Sequence, residues 1–427
     1  MYRRLAALVG AVVVALGLAA CGGGGDDDPP AAGPVKLRFL SLAWQKESLQ
    51  ANKDLVAKWN SDHPDIQIEY VQGDWNSVHD QLLTSFEGSK DAPDIVHYEA
   101  SALGEFAKAG YLADLASLVP VDMRSDISAK AWDTVKVDGK TIGVPFLFES
   151  QAVIANKKLL DAAGVTVPGA SAPWTWDEFA ANARKLTKPG QYGAAWALKS
   201  PTNRIMNLSL NYGGKFFYTE NGKTEVRVGD AEKAVPKRIH DMIYADRSAS
   251  PEALGMGGTD PLPGFFAGKY AMLPGSIYLR QQMVEQAPAG FEWVTLPPLK
   301  GDSQEQAANP QTLSISEDSK AKKQAMEFIS YFLNPDNMAK LAQGDWLVPT
   351  SKKAGDAVLK NTSGKNGWDV AVASGDTLVV APFQSVSAYP EWKSKTATPT
   401  FQQYFANKIS LDQLATRLVD GGKQVLK

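Results

Sequence analysis

A single cysteine, Cys21, in 427 residues excludes an internal disulfide and any multi-cysteine metal site. The four histidines, His63, His79, His97 and His240, never stand at an H-E-x-x-H or paired-ligand spacing, and neither G-x-S-x-G nor G-x-x-x-x-G-K-[ST] occurs. Each lone histidine reads most simply as a surface or locally bonded side chain, so no metal or other cofactor is expected. Excess positive charge is missing too: 44 Lys and Arg against 47 Asp and Glu leave a net charge of -3, too acidic to displace counterions from a phosphate backbone. A nucleic-acid partner is therefore not expected. What is present is ordinary for a folded protein. Apolar residues at 44% and charged residues at 21% exclude collagen, coiled coil and wholesale disorder, and the length allows two or three folded units.

The cysteine's position carries information. Arg3 and Arg4 form a positive head, and Leu5 to Ala20 form an uncharged apolar stretch too short and too rich in Ala and Gly for a membrane span, the pattern of a secretory signal over residues 1–20. The stretch ends in Leu18-Ala19-Ala20-Cys21, which resembles the bacterial lipobox. That resemblance implies a lipidated Cys21 and an extracytoplasmic protein anchored to the cell membrane. An ordinary signal peptide with an accidental cysteine is the alternative, but the only thiol falls at the one position where a lipid would be attached. Several acyl chains would hold firmly, because each buried methylene contributes about 0.8 kcal/mol. After Cys21, residues 22–34 (GGGGDDDPPAAGP) contain no large apolar side chain and read as a disordered tether.

Folded structure begins at Val35. Residues 35–42 alternate and are rich in strand formers; Leu55, Val56 and Trp59 then share a helical face, and Ile66, Ile68 and Tyr70 alternate as a second strand. A helix bearing Val78, Leu82, Leu83 and Phe86 and a third strand at residues 93–98 continue the rhythm, which implies a parallel α/β sheet. Two tight hairpins are expected at Asp138-Gly139 and Asn221-Gly222, whose Asx-Gly pairs suit a type I′ turn. Capping-box spacings at Thr175–Glu178 and Ser410–Gln413 mark helix starts, and Asn334-Pro335 is expected to close an amphipathic helix carrying Phe328, Ile329 and Phe332. No Pro/Gly linker follows Pro34, which favours lobes that exchange chain over separate beads.

Carboxylates are plentiful, and Glu99 with Glu149 could in principle serve a glycosidase as acid and base, a chemistry that needs two suitably separated carboxyls. Aromatic residues are the stronger signal. Trp44, Trp75, Trp346, Tyr389 and Trp392 sit beside turn residues rather than in apolar runs. Pyranose faces present C–H groups to aromatic planes while their hydroxyls need charged or amide partners, so such rings suit saccharides. Core packing competes with that reading, and for Trp59 on its helical stripe it is the better one.

Several segments in order resemble the extracellular solute-binding proteins of ABC importers, in particular their sugar-binding, maltose-binding-protein-like group. They are GSKDAPDIV (88–96), FAKAGYLADL (106–115), DGKTIGVPFLFE (138–149), IANKKLL (154–160), WTWDEF (174–179), FFAGKYAM (265–272) with Gly275, and FISYFL (328–333). The resemblance covers residues 35–427 and implies an α/β, two-lobe periplasmic-binding-protein-like fold of type II, with lobes joined by crossing hinge strands. The N-terminal lobe would comprise 35–147 and 299–334, the C-terminal lobe 148–298 and 335–427. By the same resemblance, the protein would be a non-enzymatic, monomeric receptor that closes on a mono- or oligosaccharide and delivers it to the membrane permease subunits.

The resemblance also places candidate ligand-binding residues. Trp44 follows the first strand, with Gln45 or Lys46 beside it as donors; Asp74 and Trp75 follow the second, and Glu99 the third. Glu149 matches the acidic residue at the first hinge crossing. The segment 271–278 corresponds to the family's aromatic wall, with Ile277 or Tyr278 where a tryptophan is expected, and Trp346 and Tyr389 fall in later cleft loops. Alternatives remain: a receptor for a glycerol phosphodiester, for which Arg204 and Arg280 are candidates, or for a polyamine; a secreted glycosidase; an adhesion lipoprotein.

Overall fold

The computed structural model describes residues 33–88 and 92–426. Cys21, the expected secretory segment and nearly all of the expected tether lie outside the described residues. The first strand, β1 (Val35–Ser41), leads to helix α1 (Lys46–Asp62), β2 (Ile66–Gln72), α2 (Val78–Gly88), β3 (Ile95–Glu99) and α3 (Ala100–Lys108). On α1 the buried side chains Ser48, Asn52, Leu55, Val56 and Trp59 recur at helical spacing. Trp59 donates from its indole to the Ile66 carbonyl at 2.9 Å and meets the Phe328 ring at 5.5 Å, so this aromatic lies in the core as its stripe predicts.

β1 pairs in parallel with β2, Val35 opposite Ile66, and with β3, Phe39 opposite Ile95. The expected parallel rhythm holds for these three strands and stops there. The hairpin β4 (Lys136–Val137) and β5 (Lys140–Thr141) precedes β6 (Val144–Phe148), and β7 (Gln151–Asn156) then carries the chain into a second sheet. Strand Pro310–Ile315 returns and inserts between β3 and β6, antiparallel to both. The first sheet is therefore mixed and six-stranded, with order 348–349, β6, 310–315, β3, β1, β2. The second has four strands: 293–296, β7, 270–276 and 192–194. Both Asx-Gly hairpins turn through the left-handed region, Asp138 at φ 49° with Gly139 at 79°, and Asn221 at 51° with Gly222 at 74°. At Thr175 the side chain accepts the Glu178 amide at 3.1 Å while Glu178 accepts the Thr175 amide at 2.7 Å, the reciprocal cap its spacing predicts.

Two main hydrophobic cores form, one on each sheet. The first draws on residues 37–152 and 308–378, with Ile277 added; the second, with a smaller satellite, on 153–307 and 381–418. This corrects the expected allocation of residues 335–427 to the second lobe, since residues through Leu378 pack in the first core. Asn334 ends one helix but also caps the next: its side chain accepts the Asn337 amide at 2.9 Å, and Pro335 takes the first helical position, where it needs no donor. Helix Pro335–Asp345 then turns back along α1. The two approach so closely that a Cβ on Gly344 would stand 2.9 Å from the Ser48 Cα. The expected boundary at residue 299 also moves, because Leu299 and Ala307 are buried in the second core and Ala308 in the first.

Candidate functional site

The chain passes between the cores near residues 148–153, 306–309 and 378–381. Gln306–Ala307 pairs in parallel with Leu378–Val379, so two of the crossings form a short ladder. The third is tied on by side chains. Gln306, with no solvent exposure, accepts the Gln151 amide at 2.6 Å and donates to the Gln151 carbonyl and to Thr377 Oγ1, each at 3.3 Å. Ser150 and Ser374 share a hydroxyl–hydroxyl bond of 2.6 Å.

A cavity of about 850 Å³ opens above these crossings, walled by both lobes. Trp44 and Gln45 reach it from the end of β1, Asp74 and Trp75 from the end of β2, and Glu99 from the end of β3. Glu149 enters from the first crossing, and Tyr278 and Tyr389 from the second lobe. Trp346 does not line it. Its backbone is left-handed at φ 55°, its ring stacks on Trp368 at 5.4 Å, and its neighbours Asp345 and Leu347 meet the cavity instead. Lys46 is not on the wall, Ile277 is buried in the first core, and Arg280 is buried away from the cavity, whereas Arg204 lines it.

The wall is amphipathic. Trp44, half exposed, meets Tyr278 edge-to-face at 6.0 Å, a ring pair bridging the lobes. Trp75 is held by an indole bond to the Leu42 carbonyl at 2.8 Å and leans on Tyr98 at 6.0 Å. Tyr389 packs against Phe383 at 4.9 Å and donates to Asn203 Oδ1 at 2.9 Å. Asp74 spends one oxygen on the Asn76 amide at 2.9 Å, and Glu99 accepts from the Asn309 amide at 2.9 Å. Gln45 donates to the Asp345 carbonyl at 2.9 Å, which ties β1's exit to the C-terminal end of helix Pro335–Asp345.

Glu149 meets the cavity's solvent but stands among so many protein atoms that desolvation raises its pKa; the Ser276 hydroxyl offsets part of the rise, Glu99 adds to it, and Arg204 lowers it again. The same burial lowers the Arg204 guanidinium, against the pull of Tyr278 and Glu149. Arg204 donates to the Ala197 carbonyl at 2.8 Å and reaches Gln151 at 3.4 Å. Burial, with Glu149 nearby, pushes the Tyr278 phenol up to about 12, so it stays a donor at neutral pH. Sequence reasoning missed Gln151, Asn203, Asn207, Asn309 and Asp345 on this wall. Only Gln151 had a local signal, since it stands two positions after Glu149 on an extended segment and so shares its face.

Carboxylates, amides and one guanidinium facing aromatic planes can accept from and donate to a hydroxyl-rich solute while stacking on its apolar face. The chain belongs to the bacterial extracellular solute-binding protein family, whose model matches residues 43–339. It is 47% identical over 384 residues to the uncharacterized lipoprotein in the oleD 5' region of Streptomyces antibioticus, covering 89% of this chain and 85% of that one. It is similar at 23% over 396 residues to the diacetylchitobiose binding protein DasA of Streptomyces coelicolor, with 90% of each chain covered. Among solved structures, maltose-bound T. maritima MalE3 superposes at a TM-score of 0.76 with 19% identity, covering 92% of this chain and 100% of that one. The cyclic alpha-maltosyl-1,6-maltose binding protein of Arthrobacter globiformis gives 0.77 with 20% identity over the same shares. The fold is the two-lobe periplasmic-binding-protein-like one.

Proposed function

We propose that the protein is the lipid-anchored receptor of an ABC importer, capturing a mono- or oligosaccharide between its lobes and presenting the closed form to a permease. One observation carries the reading: the interlobe cavity sets the Trp44–Tyr278 pair and Trp75 beside Glu99, Glu149, Arg204 and Gln151, rings for sugar faces and polar groups for hydroxyls. A solute touching both lobes favours closure by its differential affinity for the closed form. The lipobox at Cys21 and the tether after it support a membrane-held receptor, whose effective concentration near a permease is raised by the anchor. The phosphodiester alternative keeps Arg204 but loses Arg280, which lies off the cavity.

The test is a thermal-shift panel containing maltose, diacetylchitobiose and arabinooligosaccharides, with glycerophosphocholine and spermidine as counter-ligands, followed in parallel for product formation. A sugar at a hundred times its Kd stabilises by about 2.7 kcal/mol. A sugar-induced rise in Tm without turnover supports the reading. A shift by spermidine or glycerophosphocholine alone, or cleavage of a sugar, overturns it.

A further inference from the structure

Arg280 occupies an unusual place. It stands two residues after Tyr278, in the first turn of helix Leu279–Gln286 of the second lobe, and is 0% exposed. Among the described residues no carboxylate lies within ion-pair distance of it. Its guanidinium is instead spent on carbonyls: Nε donates to Ile277 at 2.9 Å, Nη2 to Trp346 at 3.0 Å and Nη1 to Asn366 at 3.4 Å. It also lies over the Trp368 ring at 4.2 Å and the Trp346 ring at 5.4 Å. A buried cation is costly unless every donor is satisfied, so the contacts are there to be explained.

The two carbonyls taken from the first lobe belong to Trp346 and Asn366, at φ values of 55° each, both in the left-handed region that a bulky residue such as tryptophan rarely adopts. Such strain persists where its surroundings over-determine it. The same seam is closed by Gly367, where a Cβ would stand 2.2 Å from Thr295 Oγ1 of the second lobe, and by Gln281, which donates to Glu47 of α1 at 2.8 Å. Helix Trp368–Ser374 joins this seam to the hinge, since Ser374 at its far end bonds Ser150.

We propose that Arg280 is a positioning residue: by gripping two left-handed carbonyls of the first lobe it fixes the angle at which the Tyr278 wall of the second lobe meets Trp44, shaping the cavity mouth before any solute arrives. The guanidinium serves here as a fork rather than a counter-ion, which explains arginine over lysine. Burial pushes it down to about 9, still charged at neutral pH. This role stands whichever solute the cavity takes.

The test needs no ligand. Spin labels are placed through Lys53→Cys and Lys158→Cys, exposed positions on the first and second lobes, in the full chain carrying Cys21→Ser, and the interlobe distance distribution is measured. Arg280→Met is expected to broaden the distribution by about twofold or shift its mean. Phe179→Leu, buried in the second core away from the seam, is the control that lowers Tm without moving the distribution. A distribution for Arg280→Met that superimposes on the parent, or an equal broadening by Phe179→Leu, overturns the proposal. Should Arg280→Met not fold, Arg280→Lys, which keeps the charge but loses the fork, must give intermediate broadening; an unchanged width overturns the proposal equally.

Discussion

Gln306 brackets the peptide groups of Gln151, accepting its N–H at 2.6 Å and donating to its C=O at 3.3 Å, so one side chain joins two crossings of the hinge as a neighbouring strand would. The same amide reaches Thr377 on the third crossing. Since Gln151 also bonds Glu149 and Arg204, the bracket orients the cavity's polar floor. Gln306→Leu keeps the volume and takes the acceptor from the half-buried Gln151 amide. It is expected to cost about 1–3 kcal/mol and to weaken sugar binding. Unfolding midpoints equal to the parent's would dismiss this role.

Glu149→Gln separates affinity from stability. Hydrogen bonds to a charged group contribute about 1.5–3 kcal/mol, so sugar affinity should fall by roughly 10- to 100-fold in calorimetry. Burial already disfavours the Glu149 charge, so the ligand-free Tm should stay level or rise. Retained affinity would remove Glu149 from the site.

Asp345 is 3% exposed, its Oδ1 has no partner among the described residues, and burial raises its carboxyl from 3.8 to about 7. Between those values the folded state holds the proton and the unfolded state does not, so stability is full below pH 3.8 and is lost as pH rises through 7, by at most about 4 kcal/mol. Asp345→Asn lacks this slope. The Tm difference in its favour should grow from pH 4 to pH 7 and then level off. A difference independent of pH would count against the shift.

His97 works in the opposite direction. It is 2% exposed, its Nδ1 accepts the Leu42 amide at 3.0 Å and its Nε2 donates to Gln311 at 2.9 Å, so the neutral Nε2–H tautomer fits both partners. Burial lowers its pKa from 6.5 to about 4. The unfolded chain binds the extra proton first, so about 3 kcal/mol is lost as pH falls from 6.5 to 4. Imidazole NMR shifts should report a neutral ring down to about pH 4; titration near 6.5 would contradict the burial argument.

Cys21→Ser should release the protein from the membrane fraction into the medium while leaving sugar-induced melting shifts intact. Unchanged fractionation would refute the lipid anchor.

Much of this was legible from local pattern. The Asx-Gly hairpins, both capping boxes and the helical stripe of Leu55, Val56 and Trp59 depend on neighbours within a few residues, and the structure places each as its spacing predicts. The cavity was legible where its residues follow strand ends: Trp44, Asp74 and Glu99 come after β1, β2 and β3, the side of a parallel sheet where loops meet a ligand. Trp346 does not line the cavity: its backbone is left-handed and its ring stacks on Trp368, and nothing local announces that conformation at a tryptophan.

The order of apolar and polar residues along the chain therefore determined strands, helices and turns, because those depend on interactions a few residues apart. Which lobe received residues 335–378, the mixed sheet made by the returning strand 310–315, and the burial of Arg280 against two indoles were decided only in three dimensions. Each rests on contacts between segments far apart in sequence, where close packing and complete hydrogen bonding choose the partner.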